Sequence, residues 1–170
     1  MKHPNPTNNE KMMKEGDFIV SKTDTTGKIT YGNEIFIQMS GYSEAELLGT
    51  PHSILRHPDM PKIVFKLLWD KIQKKEEIFA YVKNLCKDGS FYWVYANVTA
   101  SLDASGKIIG YYSVRRRPNP KALETIKAIY PKLLDAEKSG GMSASEKLLS
   151  DTLKSQGVTY EQFVSNLQQL

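Results

Sequence analysis

Positions 55 to 61 read Leu-Arg-His-Pro-Asp-Met-Pro, which brings a guanidinium (Arg56), an imidazole (His57) and a carboxylate (Asp59) within four positions, stiffened by two prolines. Proline suits a first helical turn, because the N–H it lacks would be unpaired there anyway. A helix is therefore expected over Lys62–Gln73, starting just after Pro61. Asp59 can accept from the free amides of that turn and complement the helix dipole. Two chemistries fit the segment: a helix cap with solvated charges, and a polar clamp for the edge of a planar ligand beside apolar surface. No Ser/His/Asp set, metal-ligand spacing, phosphate loop or nucleophile beside a base accompanies it, so an enzyme is not expected.

The elements that must position this segment fit within a modest chain. The 170 residues suit one domain with a short appendage, and 40% hydrophobic with 25% charged residues is ordinary for a globular protein. No apolar run approaches the roughly 20 residues that span a bilayer, and no apolar signal segment opens the chain, so a cytoplasmic location is expected. The single cysteine, Cys86, cannot form an internal disulfide, in keeping with a reducing compartment. A net charge of +4, with its densest basic run at Arg115-Arg116-Arg117, provides no broad basic stripe, and nucleic acid is not an expected partner.

The polar residues 1–16 read as an arm with a short helix at Asn9–Lys14. Phe18–Lys22 and Lys28–Tyr31 read as a hairpin turning at Asp24–Gly27. Asn33 is a competent cap for a helix that Gly41 ends, and Ser43 with Glu46 has capping-box spacing for another. In the helix after Pro61, Ile63, Val64, Leu67 and Leu68 form one stripe and Phe65, Trp69 and Ile72 a second, which implies burial on two sides. Three strands follow, Ile78–Cys86, Phe91–Leu102 and Lys107–Arg117, joined by short turns. The sum is an α+β fold: a five-stranded antiparallel sheet with short helices on one face, followed by C-terminal helices. Residues 1–16 are expected to be an arm, 17–118 the main domain, 119–138 an amphipathic connector helix bent or broken near Pro131, and 139–170 a helical tail. Ser139-Gly-Gly141 reads as a joint, and Ser143 with Glu146 and Thr159 with Gln162 as two further capping boxes. The apolar faces of these last helices must pack back on the domain or meet a partner.

Asn33-Glu-Ile-Phe36, Ser40-Gly41-Tyr42, Gly49-Thr-Pro51-His52, Arg56-His57-Pro58-Asp59-Met60-Pro61, Val82-Lys83-Asn84, Tyr92-Trp93-Val94 and Gly110-Tyr111 together resemble a PAS domain over about Asp17–Arg117. The Arg-His-Pro-Asp-Met-Pro string resembles, more narrowly, the PAS sensor of bacterial aerotaxis receptors. That resemblance implies non-covalently bound FAD and a role in reporting redox state or oxygen-linked electron flow to a chemotaxis receptor. By it, Asn33 and Asn84 are the asparagines that bond the cofactor or frame its pocket. Arg56, His57 and Asp59 are the polar group that retains FAD, and Phe65 and Trp69 the aromatic pair over it. Arg115 lies near the ring's reactive edge, where a guanidinium favours an anionic over a neutral form. Strand alternation adds that if Asn84 faces inward, so do Ala80 and Val82, and the paired strand presents Tyr92, Val94, Ala96 and Val98.

Each residue also has a plainer reading. Asn33 caps a helix with or without flavin, Phe65 and Trp69 suit an ordinary core, and Arg115 suits an exposed strand end. Asparagine is depleted in strand centres, so Asn84 is the hardest to explain without a ligand. The cysteine context of light-sensing flavin PAS domains is absent, since Cys86 ends a strand. The rival readings are a haem gas sensor ligated by His57 or His52, and a cofactor-free dimerisation or interaction module. With about fifty residues after the PAS-like segment, the resemblance implies signalling in trans to a membrane chemoreceptor or other signalling protein. A second copy of the chain is a further expected partner, and direct membrane insertion is not expected.

Overall fold

The computed structural model describes residues 2–170. The expected hairpin forms from β1 (Phe18–Thr23) and β2 (Ile29–Gly32). Asp24 organises its turn by accepting from the backbone amides of Thr26 and Lys28. Three short segments follow: α1 (Glu34–Ser40), α2 (Glu44–Leu47) and a 3-10 turn at His52–Leu55. The Ser43–Glu46 capping box opens α2 as its spacing predicts. Helix α3 (Lys62–Ile72) leads into β3 (Ile78–Leu85), β4 (Phe91–Leu102) and β5 (Ile108–Arg116).

The five strands make one antiparallel sheet in the order β2-β1-β5-β4-β3, so the first hairpin docks against the last strand. Register decides what each face carries. Val82 pairs with Val94, Asn84 with Tyr92, Ala96 with Arg115 and Ser21 with Ser113. Side chains alternate along a strand. Val82, Asn84, Ala96, Arg115 and Ser21 therefore share one face, the one that α1 and α3 cover.

The opposite face is not left to solvent. The long helix α4 (Pro120–Gln156) and α5 (Tyr160–Gln168) pack back on it. Tyr81 sits here, fully buried, and its hydroxyl lies 3.0 Å from Gln168 Oε1. The Tyr130 hydroxyl donates to the Tyr81 carbonyl at 2.6 Å, and Phe163, Val164 and Leu167 are buried. The Thr159–Gln162 capping box is present. Helix α4 stays helical through Pro131 and breaks instead at Gly141 (φ 74°, ψ −167°), inside the expected Ser139–Gly141 joint. Ser143 makes no capping bond, and Glu146 instead approaches Lys66 at 3.7 Å.

The N-terminal arm forms no helix at Asn9–Lys14. It runs extended beside the start of β4, where Lys11 N–H donates to the Phe91 carbonyl and Phe91 N–H to that of Asn9. Tertiary pairing overrides the local helix signal here. Thr7 N–H also donates to the carbonyl of Gly89, a residue at φ +86° whose missing side chain makes room for the Asn5 carbonyl. Among the described residues no helix is long and apolar enough to cross a membrane, and no cluster of metal-ligating side chains occurs.

Candidate functional site

A cavity of about 250 Å³ lies between the inner sheet face, α3 and the 3-10 turn. A water molecule's share of the liquid is about 30 Å³, so the space suits a larger guest. Its sheet wall is Val82, Asn84, Ala96, Val98, Tyr111 and Arg115, and α3 contributes Phe65, Leu68, Trp69 and Ile72. The two stripes of α3 share this work unevenly, with Leu68 of the first stripe joining the second at the cavity. Ile63 and Val64 are buried in the main core, while half-buried Phe65 and Trp69 line the cavity. Trp69 is held edge-on against Tyr111, ring centres 5.2 Å apart at 90°.

The polar groups on the wall are few. Arg115 is 2% exposed, which rules out the solvated strand end. Its Nη2 donates to Ser21 Oγ, Nη1 lies 3.5 Å from His52 Nε2, and Cζ lies 4.8 Å from the centre of the Phe36 ring. Burial brings its pKa down to about 10, so it remains a cation at neutral pH. Burial, and then the Arg115 charge, hold His52 down to about 3, so the imidazole is neutral. Asn84 Nδ2 and Arg115 Nε are buried without a hydrogen-bond partner. Buried polar atoms are normally paired, and these two stand on the cavity wall, whereas the other unpartnered buried atoms, His57 Nε2, Tyr92 Oη and Trp93 Nε1, lie away from it. Arg56 lines the cavity yet stays exposed, its guanidinium stacked 4.0 Å over Phe65, and its backbone pairs with Asn84 in a single antiparallel bridge.

Of the residues singled out from sequence, Arg56, Phe65, Trp69, Asn84 and Arg115 meet at this cavity, and Asn33, His57, Asp59 and Tyr92 do not. Asn33 Oδ1 accepts from the amides of Phe36 and Val20, and its Nδ2 donates to the Phe18 carbonyl. It therefore caps α1 and pins that helix to β1. His57 is buried with Nδ1 accepting from the Asp59 amide, its ring 5.9 Å from Phe91; burial, aided by Lys83, pushes its pKa down. Asp59 does not cap α3 either. Its carboxylate turns to Lys83 Nζ at 2.7 Å. Tyr92 shares the inner face with Asn84 but packs in the core, its hydroxyl unpartnered and its pKa raised by burial.

The wall also carries Ser21, which was not singled out from sequence, and His52, which was weighed there only as a haem ligand; their Oγ and Nε2 are 3.1 Å apart. Signals for both existed. His52 ends the Gly49-Thr-Pro51-His52 string, and Ser21 is a polar residue two positions after fully buried Ile19, hence on the same inward face.

Residues 29–115 match a family described as the PAS fold. The Escherichia coli aerotaxis receptor is 38% identical over 131 residues, 77% of this chain and 26% of the receptor. A nitrogen fixation regulatory protein of Klebsiella pneumoniae is 27% identical over 62% of the chain and 21% of its own length. The chain thus spans about a quarter of the length of these relatives. Among solved structures, a light-oxygen-voltage domain studied with a flavin analogue superposes with a TM-score of 0.55 at 25% identity, covering 65% of this chain and 83% of that one. The light state of the blue-light photoreceptor Aureochrome1 LOV gives 0.54 at 26% identity, over 74% and 92%. The family match begins in β2 and ends at Arg115, so it takes in α3 and most of the cavity wall, and this chain belongs to the PAS family.

Proposed function

We propose that this chain is a redox- and oxygen-linked sensor that binds FAD non-covalently and reports the flavin's state, by contact in trans, to a membrane chemoreceptor or another signalling protein in the cytoplasm. The charge of the cavity carries the reading. Arg115 and Arg56 line it, and no carboxylate does. A buried cation without a counter-ion is costly, so such a wall favours a ligand that brings negative charge. A flavin nucleotide brings it twice, in its phosphates and in a ring that gains electrons on reduction. The apolar sheet wall and the Phe65 and Trp69 rings suit a planar guest, and the unpartnered Asn84 amide suits its polar edge. The Arg56–Pro61 string, by its resemblance to aerotaxis PAS sensors, favours FAD over FMN, and similarity to the aerotaxis receptor supports a place in chemotaxis signalling.

Bound flavin would supply reversible electron uptake. The chain's own residues do the rest. Arg115 favours the reduced, anionic ligand, Asn84 orients its edge, and Arg56 on Phe65 holds a charged group at the mouth. His57, Asp59 and Lys83 shape the turn that presents Arg56. Asn33 acts one step back, by fixing α1 and with it Phe36. Helix α3 walls the ligand and contacts α4, which gives a change at the ligand a route to the C-terminal helices.

The absorption spectrum of the purified protein, with identification of the cofactor released on denaturation, tests this. Flavin bands and released FAD are expected. A Soret band would replace the reading with a haem sensor, for which His52 is the available imidazole on the wall. A colourless protein would replace it with an interaction module.

A further inference from the structure

Arg115 is held by neutral groups alone. Its guanidinium donates to Ser21 Oγ, faces His52 Nε2 at 3.5 Å and lies over the Phe36 ring. Among the described residues, none of the ion pairs involves Arg115. Buried arginines are ordinarily paired with carboxylates. Here the firm hold and the missing counter-charge occur together.

The proton positions follow from the donor inventory. Arginine only donates, so Ser21 Oγ accepts from Arg115 and has its own proton to give. His52 Nε2, 3.1 Å away, is the acceptor that receives it. An Nε2 that faces two donors must carry a lone pair, which puts the imidazole proton on Nδ1 and leaves the ring uncharged. A protonated His52 would instead set a second cation against the first. Only as a neutral pair can Ser21 and His52 hold the guanidinium.

We propose that Ser21 and His52 are positioning residues that fix the Arg115 guanidinium without neutralising it, which keeps its charge for the anionic edge of the reduced ligand. This rests on the flavin reading above and deepens it. A carboxylate at position 21 would hold Arg115 as firmly but cancel its charge. The hydroxyl–imidazole pair preserves both orientation and charge, and the Phe36 ring adds a face that tolerates a cation without donating a full negative charge.

The test uses the full chain with its bound flavin and the variants Ser21→Asp, Ser21→Ala and Ser21→Thr, each checked for native circular dichroism. The midpoint potential gives the ratio of reduced-flavin to oxidised-flavin affinity. Ser21→Asp is expected to lower that ratio about tenfold or more, on the scale of a charged hydrogen-bond partner. Ser21→Ala should lower it less, and Ser21→Thr, which keeps the hydroxyl, should restore it. In the flavin-free protein, nitrogen NMR should find His52 protonated on Nδ1 and bare on Nε2. A flavin-bearing Ser21→Asp protein with an unchanged ratio, or a His52 protonated on Nε2, overturns the assignment alone. A protein that carries no flavin overturns the flavin reading as well, so the two failures are told apart.

Discussion

Glu137 holds the first turn of α3 from 74 positions further along the chain: its Oε1 accepts from the Ile63 amide at 2.9 Å. Its Oε2 accepts from Lys62 N–H at 3.0 Å. The residue before α3, Pro61, offers no side-chain cap, and Asp59 is engaged with Lys83. A helix start leaves amides unpaired and carries a partial positive charge, and a carboxylate answers both. Ser145 Oγ, beyond the break at Gly141, lies 3.2 Å from Glu137 Oε1, the oxygen that also accepts from Ile63. The cavity-lining helix is thus tied to both halves of α4.

Glu137→Ala should cost about 1 kcal/mol of stability, the usual scale of a lost cap. Glu137→Gln, which keeps one acceptor oxygen, should cost less. Thermal or urea unfolding checks both, and an unchanged midpoint for the alanine variant would show that water replaces the carboxylate without loss.

Asn33→Ala should destabilise the fold by about 2 kcal/mol, because a cap and two bonds to β1 are lost together. Flavin content per folded molecule should hold, since Asn33 is not on the cavity wall. Quantitative flavin release beside denaturant titration separates the two effects. A variant that folds with wild-type stability yet loses its flavin would return Asn33 to the ligand.

Stability should fall as pH drops from about 6.5 toward 3. The His52 pKa is about 3 in the fold against an ordinary value of 6.5, so below 6.5 the unfolded chain takes up a proton that the native chain refuses. The stabilisation from the neutral imidazole is complete above 6.5 and lost as pH falls through that window. Burial shifts His57 in the same direction, so it adds to the slope. Urea unfolding at stepped pH should show a shallower slope in His52→Gln. An identical slope would mean that His52 protonates freely in the native state.

Phe163→Ala should cost about 3 kcal/mol, within the range for an aromatic removed from a packed site, since Phe163 is 8% exposed on the inner face of α5. The loss should appear as early protease cleavage after Gly157, where the chain turns between α4 and α5. Wild-type resistance would show that the Tyr81 and Tyr160 hydrogen bonds suffice to hold α5.

Much of the architecture was legible because its signals are local. Alternation in β3 and β4, turn residues at Asp24–Gly27 and Asp103–Gly106, and the Ser43–Glu46 and Thr159–Gln162 boxes each act within a few residues. The inward set Val82, Asn84, Ala96 and Val98 follows from a period of two once one member is oriented. What stayed hidden depends on partners distant in the chain. Asn33 chose β1 over the cavity, and the arm around Glu10 chose β4 over a helix. Asp59 had the right chemistry and the right spacing to cap α3, yet Lys83 took it and Glu137 did the capping.

The α+β order of elements, the two-sided helix α3 and the residue types available to a polar clamp can be read from the chain alone, because propensity, periodicity and capping are written within single segments. Which charges meet was settled by folding. It buried Arg115 against Ser21 and His52 with no acid nearby, and moved His57 and Asp59 away from the cavity they adjoin in sequence. Whether a charge is neutralised or kept depends on groups brought within a few ångströms by strand register and helix packing, and spacing along the chain does not encode that distance.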